Sequence, residues 1–169
     1  YPLRRQRQMC IRDSYRNVVS IFLNRMLQGK PPIVYGDGEQ KRCFSYIDDC
    51  LSCMIPMLDQ QNLHKQVINI GPDEEFVTVN KVVEICSNIT GLNLEAIHKE
   101  DRPREVKHAT CSADKARKLL NYQTKVSLKE GIKKTYDYIK KRGTKDFNYK
   151  ISIEIDNDLT PVTWKNKEI

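Results

Sequence analysis

The stretch from residue 33 to residue 49 places the tightest constraint on what this chain can fold into. An apolar run, Ile33–Tyr35, ends at a Gly-Asp-Gly turn, and in the alternating segment that follows Arg42, Phe44 and Tyr46 share one face. Alternation on both sides of a glycine turn predicts a two-stranded β-ribbon. A guanidinium flanked by aromatic side chains on a short strand suits a planar anion such as a phosphate group.

Residue types alone leave a plainer alternative open, in which this ribbon is a surface hairpin with a solvated Arg42. The acidic pair Asp48-Asp49 closes the stretch. Carboxylates at this place predict the start of a helix, because they cap exposed N–H groups and favour the positive end of the helix dipole. Apolar residues at helical spacing then predict an inward stripe made of Leu51, Met54, Ile55 and Leu58.

Composition indicates a folded globular chain, since 39% of the 169 residues are hydrophobic and 30% are charged. No apolar run approaches the ~20 residues that a membrane-spanning helix needs, so no membrane association is predicted. The net charge of +7 is compatible with nucleic acid, a phosphate-bearing small ligand or simple solubility. Because lysine and arginine gather mainly at the chain ends and in the last helix, we do not predict a nucleic-acid partner.

The six cysteines lack the spacing of a disulfide framework, and Cys50-x-x-Cys53 has neither a second pair nor a nearby histidine. The three histidines, His64, His98 and His108, are scattered without metal-ligand spacing. We therefore expect reduced thiols that pack as small apolar side chains, a cytoplasmic location and no metal site.

The chain divides into three predicted regions. Residues 1–14 show no periodicity and are predicted to be foreign or disordered, with a basic targeting arm as the alternative. Residues 15–142 alternate strand and helix patterns, which is typical of an α/β or α+β domain. Residues 143–169 have the pattern of an extended C-terminal tail with apolar alternation at 151–155.

Within the central region, apolar spacing predicts a helix that begins near Tyr15. Short apolar runs predict strands over residues 66–70 and 94–97. Thr78 and Ser127 each precede a helical pattern and are predicted to be N-caps, because a hydroxyl oxygen at that position accepts from an exposed backbone N–H.

Two motifs carry a resemblance to a known family. The first is Y-G-D-G-x-Q-x-R-x-F-x-Y-I-D-D from Tyr35 to Asp49, and the second is Arg102-Pro103 followed by D-K-A-x-x-L-L-x-Y from Asp114 to Tyr122. Both are similar to substrate-domain signatures of the NAD-dependent epimerase/dehydratase family, the extended short-chain dehydrogenases, and most like UDP-glucose 4-epimerase enzymes. The resemblance implies an α/β fold that is the C-terminal, substrate-binding portion of an extended Rossmann-type nucleotide-sugar enzyme, without the N-terminal NAD-binding part.

The resemblance assigns the nucleotide phosphates to two parts of the sequence. Arg42 and Arg102 would bind the pyrophosphate from opposite sides. Asn17 and Val18 would contact a phosphate from the start of the first helix, a position whose free N–H groups suit an anion. For Arg102 the alternative is a solvated charge cluster, and for Val18 it is ordinary core packing.

The resemblance assigns the rest of the nucleotide to a strand and a loop. Ile33, Val34 and Tyr35 would lie beside the base, where backbone groups can read the uracil edge and an aromatic ring can pack on its face. Glu105 would reach the ribose hydroxyls. For Ile33, core packing is again the alternative.

The family's catalytic parts are missing from this sequence. There is no G-x-x-G-x-x-G between a strand and a helix, so no phosphate-binding turn for NAD is predicted. The family's catalytic Ser/Thr is absent as well. Tyr136 and Lys140 have the Y-x-x-x-K spacing, but the family's catalytic pair lies on a different helix, so we predict no catalytic residue in this chain. NAD is expected only in the full-length enzyme, which we expect to be a homodimer.

The sequence supports three functional hypotheses. The first is the substrate-binding part of an NAD-dependent UDP-sugar epimerase that inverts C4 through a transient 4-keto sugar and is inactive alone. The second is a nucleotide-sugar 4,6-dehydratase or a UDP-glucuronate decarboxylase, which would use the same binding motifs. The third, from another class, is a basic binding module.

Overall fold

The computed structural model describes residues 18–60, 63–102, 106–109, 111–146, 160 and 165–166. The helices in this part of the chain are α1 Val18–Leu27, α2 Ile47–Met54, α3 Val79–Thr90, α4 Asp114–Leu120 and α5 Leu128–Arg142, with a 3-10 turn at Pro56–Leu58. The strands are β1 Ile33–Tyr35, β2 Lys41–Arg42, β3 Val77–Thr78 and β4 Ile97–Lys99. The prediction of an α/β fold is confirmed.

The main core lies where α1, α3 and α5 pack together beside β1. Apolar residues at three- and four-residue steps place Phe22 and Met26 of α1 on the same buried face. Ile132 contributes from α5 and Val82 from α3. Burying each side chain of this size stabilises the fold by about 1.5–3 kcal/mol. This core fixes α1 and β1, and through β1 the loops that follow it.

The predicted β-ribbon is wrong. β1 pairs in parallel with β4, with Val34 opposite His98, while β2 pairs antiparallel with β3. After the Gly-Asp-Gly turn the chain is held by the Gln40 side chain, whose Nε2 donates to the Tyr35 carbonyl at 3.1 Å. Local alternation predicted a hairpin because it cannot detect a partner strand that lies about sixty residues away along the chain, Ile33 facing Ile97.

The two other strand predictions had different outcomes. Residues 66–70 form no strand, and in the described ranges no strand pairs with them. An extended segment becomes a strand only when its backbone forms hydrogen bonds with a neighbouring strand, so apolar residues alone do not make this segment a strand. The strand expected at 94–97 is displaced along the chain, since β4 spans Ile97–Lys99 and overlaps the prediction only at Ile97. Pairing with β1 determines which residues form this strand.

Both hydroxyl N-caps are confirmed. Thr78 Oγ1 accepts from the Lys81 N–H at 3.1 Å at the start of α3, and Ser127 Oγ accepts from Glu130 N–H at 3.3 Å at the start of α5. The predicted start of α2 is confirmed, since Asp48 and Asp49 lie in its first turn. The predicted acidic cap is wrong, because the residue that precedes this helix is Tyr46.

Asp49, one of the two predicted caps, is buried and accepts with Oδ2 from the backbone N–H groups of Lys125 and Val126, each at 3.2 Å. The carboxylate therefore ties α2 to the loop before α5. Its own helix receives no side-chain capping bond.

The inward stripe predicted for α2 is also wrong, since Ile55 is 62% exposed and Leu58 83% exposed. What α2 buries is Cys53, in a second, smaller cluster with Ala113 and Ala116. No described helix has the length and apolar character that crossing a membrane requires. The apolar alternation predicted at 151–155 lies outside the described residues, and the three predicted regions stay predictions.

Candidate nucleotide-binding edge

The candidate site lies at one edge of the parallel pair, where β1 and β4 both end. Parallel strands finish at the same edge, and ligands of α/β proteins bind beyond the carboxyl ends of such strands. The loop after β1 begins with Gly36-Asp37-Gly38, and the loop after β4 begins with Glu100-Asp101-Arg102. The Gly36 N–H donates to the Lys99 carbonyl at 2.8 Å, which holds the two loops together where they leave the strands.

The most specific contact at this edge joins Arg102 to Tyr35. The guanidinium carbon of Arg102 lies 4.0 Å from the centroid of the Tyr35 ring, the geometry of a cation–π stack. Tyr35 is buried and Arg102 is half-buried, with its Nε inside the protein. The structure thus brings together two residues that the sequence had assigned to different parts of a nucleotide.

Glycine is required where the two loops meet. Gly36 has a φ of +67°, and a Cβ at this position would overlap the carboxylate of Asp101. Gly38 has a φ of +75°, and its Cβ would overlap the side-chain amide of Asn80. Only a residue without a Cβ allows such close approach at positive φ, so the glycines set how near the loops lie.

A polar network holds the turn after β1. The Asn80 side-chain amide, on α3, donates to the Asp37 carbonyl at 2.9 Å and to Glu39 Oε1 at 2.7 Å. Asp37 Oδ1 accepts from the Glu39 N–H at 3.0 Å. That hydrogen bond is the main cause that lowers the pKa of the Asp37 carboxyl, with a further contribution from the positive charge of Lys107. The turn therefore carries a stable negative charge beside the cations of the edge.

Arg42 lies on β2, which is attached to the segment that follows the β4 loop. The Lys41 N–H donates to the Lys107 carbonyl at 2.9 Å, and Lys41 bridges in parallel to His108. Arg42 Nη1 donates to the carbonyls of Lys41 at 2.8 Å and Lys107 at 3.4 Å. These hydrogen bonds join β2, which carries Arg42, to residues 107–108, which come after Arg102 in the chain.

The remaining predicted site residues fall into two groups. Val18 packs against the main core from the start of α1, Val34 belongs to that core and Ile33 is buried in β1, so all three side chains have a packing role. Asn17 and Glu105 lie outside the described residues. Their assignments stay predictions.

Sequence reasoning missed three residues that shape this edge. Asn80 and Asp101 contact the glycine turn, and His98 Nδ1 lies 2.8 Å from the Gly36 carbonyl. The G-D-G sequence was the available signal, because glycine at positive φ lets side chains from other parts of the chain approach the backbone closely. The sequence held no signal for which side chains they would be. In the described part of the chain, no group of three or more His, Cys, Asp or Glu side chains could hold a metal ion.

Comparison with known proteins places these features in a family. The family model for GDP-mannose 4,6 dehydratase matches residues 4–135. The chain belongs to the NAD-dependent epimerase/dehydratase family. The match starts inside the segment predicted to be foreign, and that origin stays a prediction.

Relatives in this family have more than one activity. A putative UDP-glucose 4-epimerase of Methanocaldococcus jannaschii is 34% identical over 123 residues, which are 73% of this chain and 39% of that protein. UDP-glucuronic acid decarboxylase 1 of Arabidopsis thaliana is 29% identical over 125 residues, 74% of this chain and 28% of that protein.

A solved family member agrees with the fold. The UDP-glucuronic acid 4-epimerase of Bacillus cereus, determined with UDP-glucuronic acid and NAD, superposes with a TM-score of 0.70 at 32% identity. The superposition covers 76% of this chain and 41% of that one. This chain therefore spans about two fifths of the length of that epimerase and of the archaeal relative.

The residues of this chain do not fit the NAD of the family. Gly36 and Gly38 are the closest pair of glycines, but a strand rather than a helix follows them. The surface a pyrophosphate would need is occupied, because the Asp101 carboxylate lies against Gly36 and Asn80 lies against Gly38. No chemical step through NAD follows from these residues.

Proposed function

We propose that this chain is the nucleotide-sugar-binding part of an NAD-dependent UDP-sugar epimerase, with the diphosphate held between Arg102 and Arg42. The observation that carries the proposal is the Arg102 guanidinium fixed over Tyr35 at the carboxyl edge of the β1–β4 pair. Family membership supports the substrate class, and the relatives described above include the Bacillus cereus 4-epimerase and the protein named a putative UDP-glucose 4-epimerase.

The positively charged side chains at this edge support the binding of a diphosphate. Arg42 and Arg102 have planar guanidinium groups that match phosphate oxygens with paired N–H donors. Lys107 lies close by, with its Nζ 3.8 Å from Asp37 Oδ2. Each charge-assisted contact with phosphate stabilises a complex by about 1.5–3 kcal/mol. Asn17 and Val18 would add contacts from the start of α1.

The base and ribose would lie along β1. The backbone of Ile33, Val34 and Tyr35 would read the uracil edge, since the side chains of Ile33 and Val34 are buried and unable to reach a ligand. Glu105 would bind the ribose hydroxyls. In this arrangement the chain binds and orients the nucleotide sugar.

The reaction of the full-length protein would be C4 epimerisation through a transient 4-keto sugar. NAD supplies the hydride acceptor for such chemistry when it is bound. Protein outside this sequence would hold that cofactor and the catalytic side chains, in a homodimer. The 169-residue chain is accordingly expected to bind UDP and to show no epimerisation with UDP-glucose and NAD.

Decarboxylation of a UDP-glucuronate is the second candidate, favoured by the Arabidopsis relative. A 4,6-dehydratase would use the same anchor. These activities share the binding function assigned to this chain, so the same test applies to all of them.

The test is isothermal titration of UDP into the wild-type chain and into Arg42→Ala, Arg102→Ala and Arg142→Ala. The first two substitutions are expected to weaken UDP binding by roughly tenfold to a hundredfold, since each removes a charged hydrogen-bond donor. Arg142, the last residue of α5, is the matched control and is expected to leave the affinity unchanged.

A basic binding module gives the opposite pattern. It would be retained on heparin in a way that UDP does not displace, and Arg142→Ala would weaken retention as much as Arg42→Ala does. Absence of UDP binding by the wild-type chain at millimolar concentration would overturn the proposed function.

A further inference from the structure

Cys43 and Cys111 do not fit the expectation that the thiols of this chain pack as small apolar side chains. Cys86 and Cys53 do fit it, since they are buried in the main core and in the smaller cluster. Cys111 is exposed and Cys43 is only half-buried, and both are free thiols. These two thiols therefore lie where reagents in solution can reach them or their immediate neighbourhood.

Hydrogen bonds bring together the chain segments that carry Cys43 and Cys111. Lys41 bridges in parallel to His108, and the Lys41 N–H donates to the Lys107 carbonyl at 2.9 Å. This bridge lies two residues before Cys43 and three residues before Cys111. Because both segments leave a parallel bridge in the same direction, the two cysteines follow it at a similar level.

A short loop that carries Asp73 and Glu75 contacts both segments. Cys43 Sγ donates to the Glu75 carbonyl at 3.1 Å. Asp73 Oδ2 accepts at 2.8 Å from the N–H of Ala113, which lies two residues after Cys111. One loop therefore fixes the position of Cys43 and of the chain just after Cys111.

The Cys111 thiol lies close enough to Cys43 to affect its ionisation. Burial is the main cause that raises the pKa of the Cys43 thiol, and the negative charge of an ionised Cys111 is the next largest cause. The carboxylates of the neighbouring loop raise this pKa further. A raised pKa keeps Cys43 protonated and slow to react with outside reagents, so the exposed Cys111 is expected to react first.

We propose that Cys43 and Cys111 form a redox-sensitive pair that closes to a disulfide without rearrangement of β2. The reagent class is a small soluble disulfide, and oxidised glutathione is the probe. The Cys111 thiolate attacks one sulfur of this probe, which gives a mixed disulfide on Cys111 and releases one glutathione thiolate.

The second step is the closure of the pair. The Cys43 thiol gives its proton to solvent and attacks the Cys111 sulfur, and the second glutathione leaves as a thiolate. Two protein thiols are thereby oxidised, and one glutathione disulfide is reduced to two thiols. Because this step takes place within one chain, its high effective concentration offsets the low reactivity of Cys43.

The cross-link would act on the strand that carries Arg42. Arg42 directly precedes Cys43, and its Nη1 donates to the Lys107 carbonyl at 3.4 Å. A disulfide would add a covalent link to the hydrogen bonds that hold β2 to this segment. The two cysteines are nearly seventy positions apart in the chain, so the link would also restrict the unfolded state strongly. The inference does not depend on the proposed function.

The experiment treats the purified chain with oxidised glutathione and maps the disulfide by mass spectrometry. Digestion with chymotrypsin, which cuts after Phe44 and Tyr46, separates Cys43 from the two cysteines of α2. The expected product is a pair of peptides joined between Cys43 and Cys111 that has lost two hydrogen atoms.

Three serine variants complete this experiment. Cys43→Ser and Cys111→Ser are expected to abolish the cross-link, and both should fold because neither thiol lies in a core. Cys50→Ser is the matched control, since it removes another half-buried thiol and should leave the cross-link unchanged. A disulfide that joins Cys111 to a different cysteine, or glutathione that stays on Cys111 of the wild-type chain, would overturn the inference.

Urea unfolding tests whether the disulfide fits the native structure. Oxidation of the wild-type chain is expected to shift the unfolding equilibrium toward the folded state by roughly thirtyfold to a thousandfold, because the closed loop restricts the unfolded chain. Dithiothreitol should remove this shift, and the variants Cys43→Ser and Cys111→Ser should not show it. An oxidised protein no more stable than the reduced one would overturn the inference, because β2 would then have to distort before the sulfurs could meet.

Discussion

Helices α5 and α2 both carry apolar residues at helical spacing, yet they bury them differently. On α5 the predicted inward residues Ile132 and Ile139 are buried in the main core, and Ile132 is only 1% exposed. On α2 and the following 3-10 turn the predicted inward residues Leu51 and Leu58 are exposed. The face of α2 that packs carries Cys53 and Asp49 instead.

This difference shows that apolar periodicity predicts which face of a helix is apolar, but it does not predict which other element packs against that face. α5 has two long neighbours in this chain, α1 and α3, each with an apolar face of its own. Among the described residues, α2 packs on the small cluster around Ala113 and Ala116. Because this cluster is smaller than the apolar stripe predicted for α2, much of that stripe stays exposed.

The largest expected effect compares the two helices directly. Ile132→Ala is expected to lower the free energy of unfolding by about 2–5 kcal/mol, because it removes buried methyl groups and leaves a cavity. Leu58→Ala, the matched deletion on the exposed side, is expected to change the free energy of unfolding by less than ~0.5 kcal/mol. Urea unfolding followed by circular dichroism measures both. Equal losses would show that the stripe of α2 is as well packed as that of α5.

The second prediction concerns the link between the two regions. Asp49 is 3% exposed and accepts from two backbone N–H groups in the loop before α5. Asp49→Ala removes the acceptor of two partly buried hydrogen bonds, so we expect a loss of about 1–3 kcal/mol in the free energy of unfolding. Asp48→Ala is the control, since Asp48 is exposed and its removal is expected to cost less than ~0.5 kcal/mol. A loss at Asp48 as large as at Asp49 would mean that the predicted helix cap, and not the link to α5, is the stabilising contact.

The third prediction concerns how the free energy of unfolding depends on pH through the ion pair between Asp73 and Arg117. Arg117 of α4 donates to the Asp73 carboxylate, and the Ala113 N–H adds a bond at 2.8 Å. The Arg117 guanidinium is the main cause that lowers the pKa of Asp73 to about 2, against about 3.9 for an unfolded chain. A depressed pKa in the folded state gives stability that is present above the unfolded value and is lost as the pH falls toward the folded one.

Asp73→Asn should therefore be less stable than wild type near pH 7, and the difference should shrink as the pH falls below about 4 and disappear only below about pH 2. Urea unfolding at several pH values measures this difference. Glu95→Gln is a control, because it removes an exposed carboxylate elsewhere on the surface and should leave the profile unchanged. A difference that stays constant from pH 7 to pH 2 would contradict the Arg117 pairing.

Much of the local structure could be predicted. The caps Thr78 and Ser127 were found because a hydroxyl beside a helical pattern satisfies an N–H whatever the rest of the chain does. The family could be named from two motifs, since fixed offsets along one chain survive in the sequence. The partner of β1 could not be found, because parallel pairing joins segments whose separation leaves no local mark.

The candidate site, too, could be predicted from the sequence only in part. Arg102 and Tyr35 were each singled out from their motifs, but their stacking was not foreseen, since it depends on where β4 ends relative to β1. Asn80 and Asp101 carried no signal at all, although their contacts require glycine at positions 36 and 38.

The sequence by itself determined the family, the α/β class and the Thr78 and Ser127 helix caps, and it singled out Arg42 and Arg102 as candidate phosphate ligands. These follow from short-range rules, namely periodicity, capping and motif spacing. The tertiary structure decided that β1 pairs with β4, that the α2 stripe faces outward and that the Tyr35 ring lies beneath Arg102. Each of these depends on which distant surfaces meet, and that is settled by competition among all buried faces of the chain rather than by any one segment.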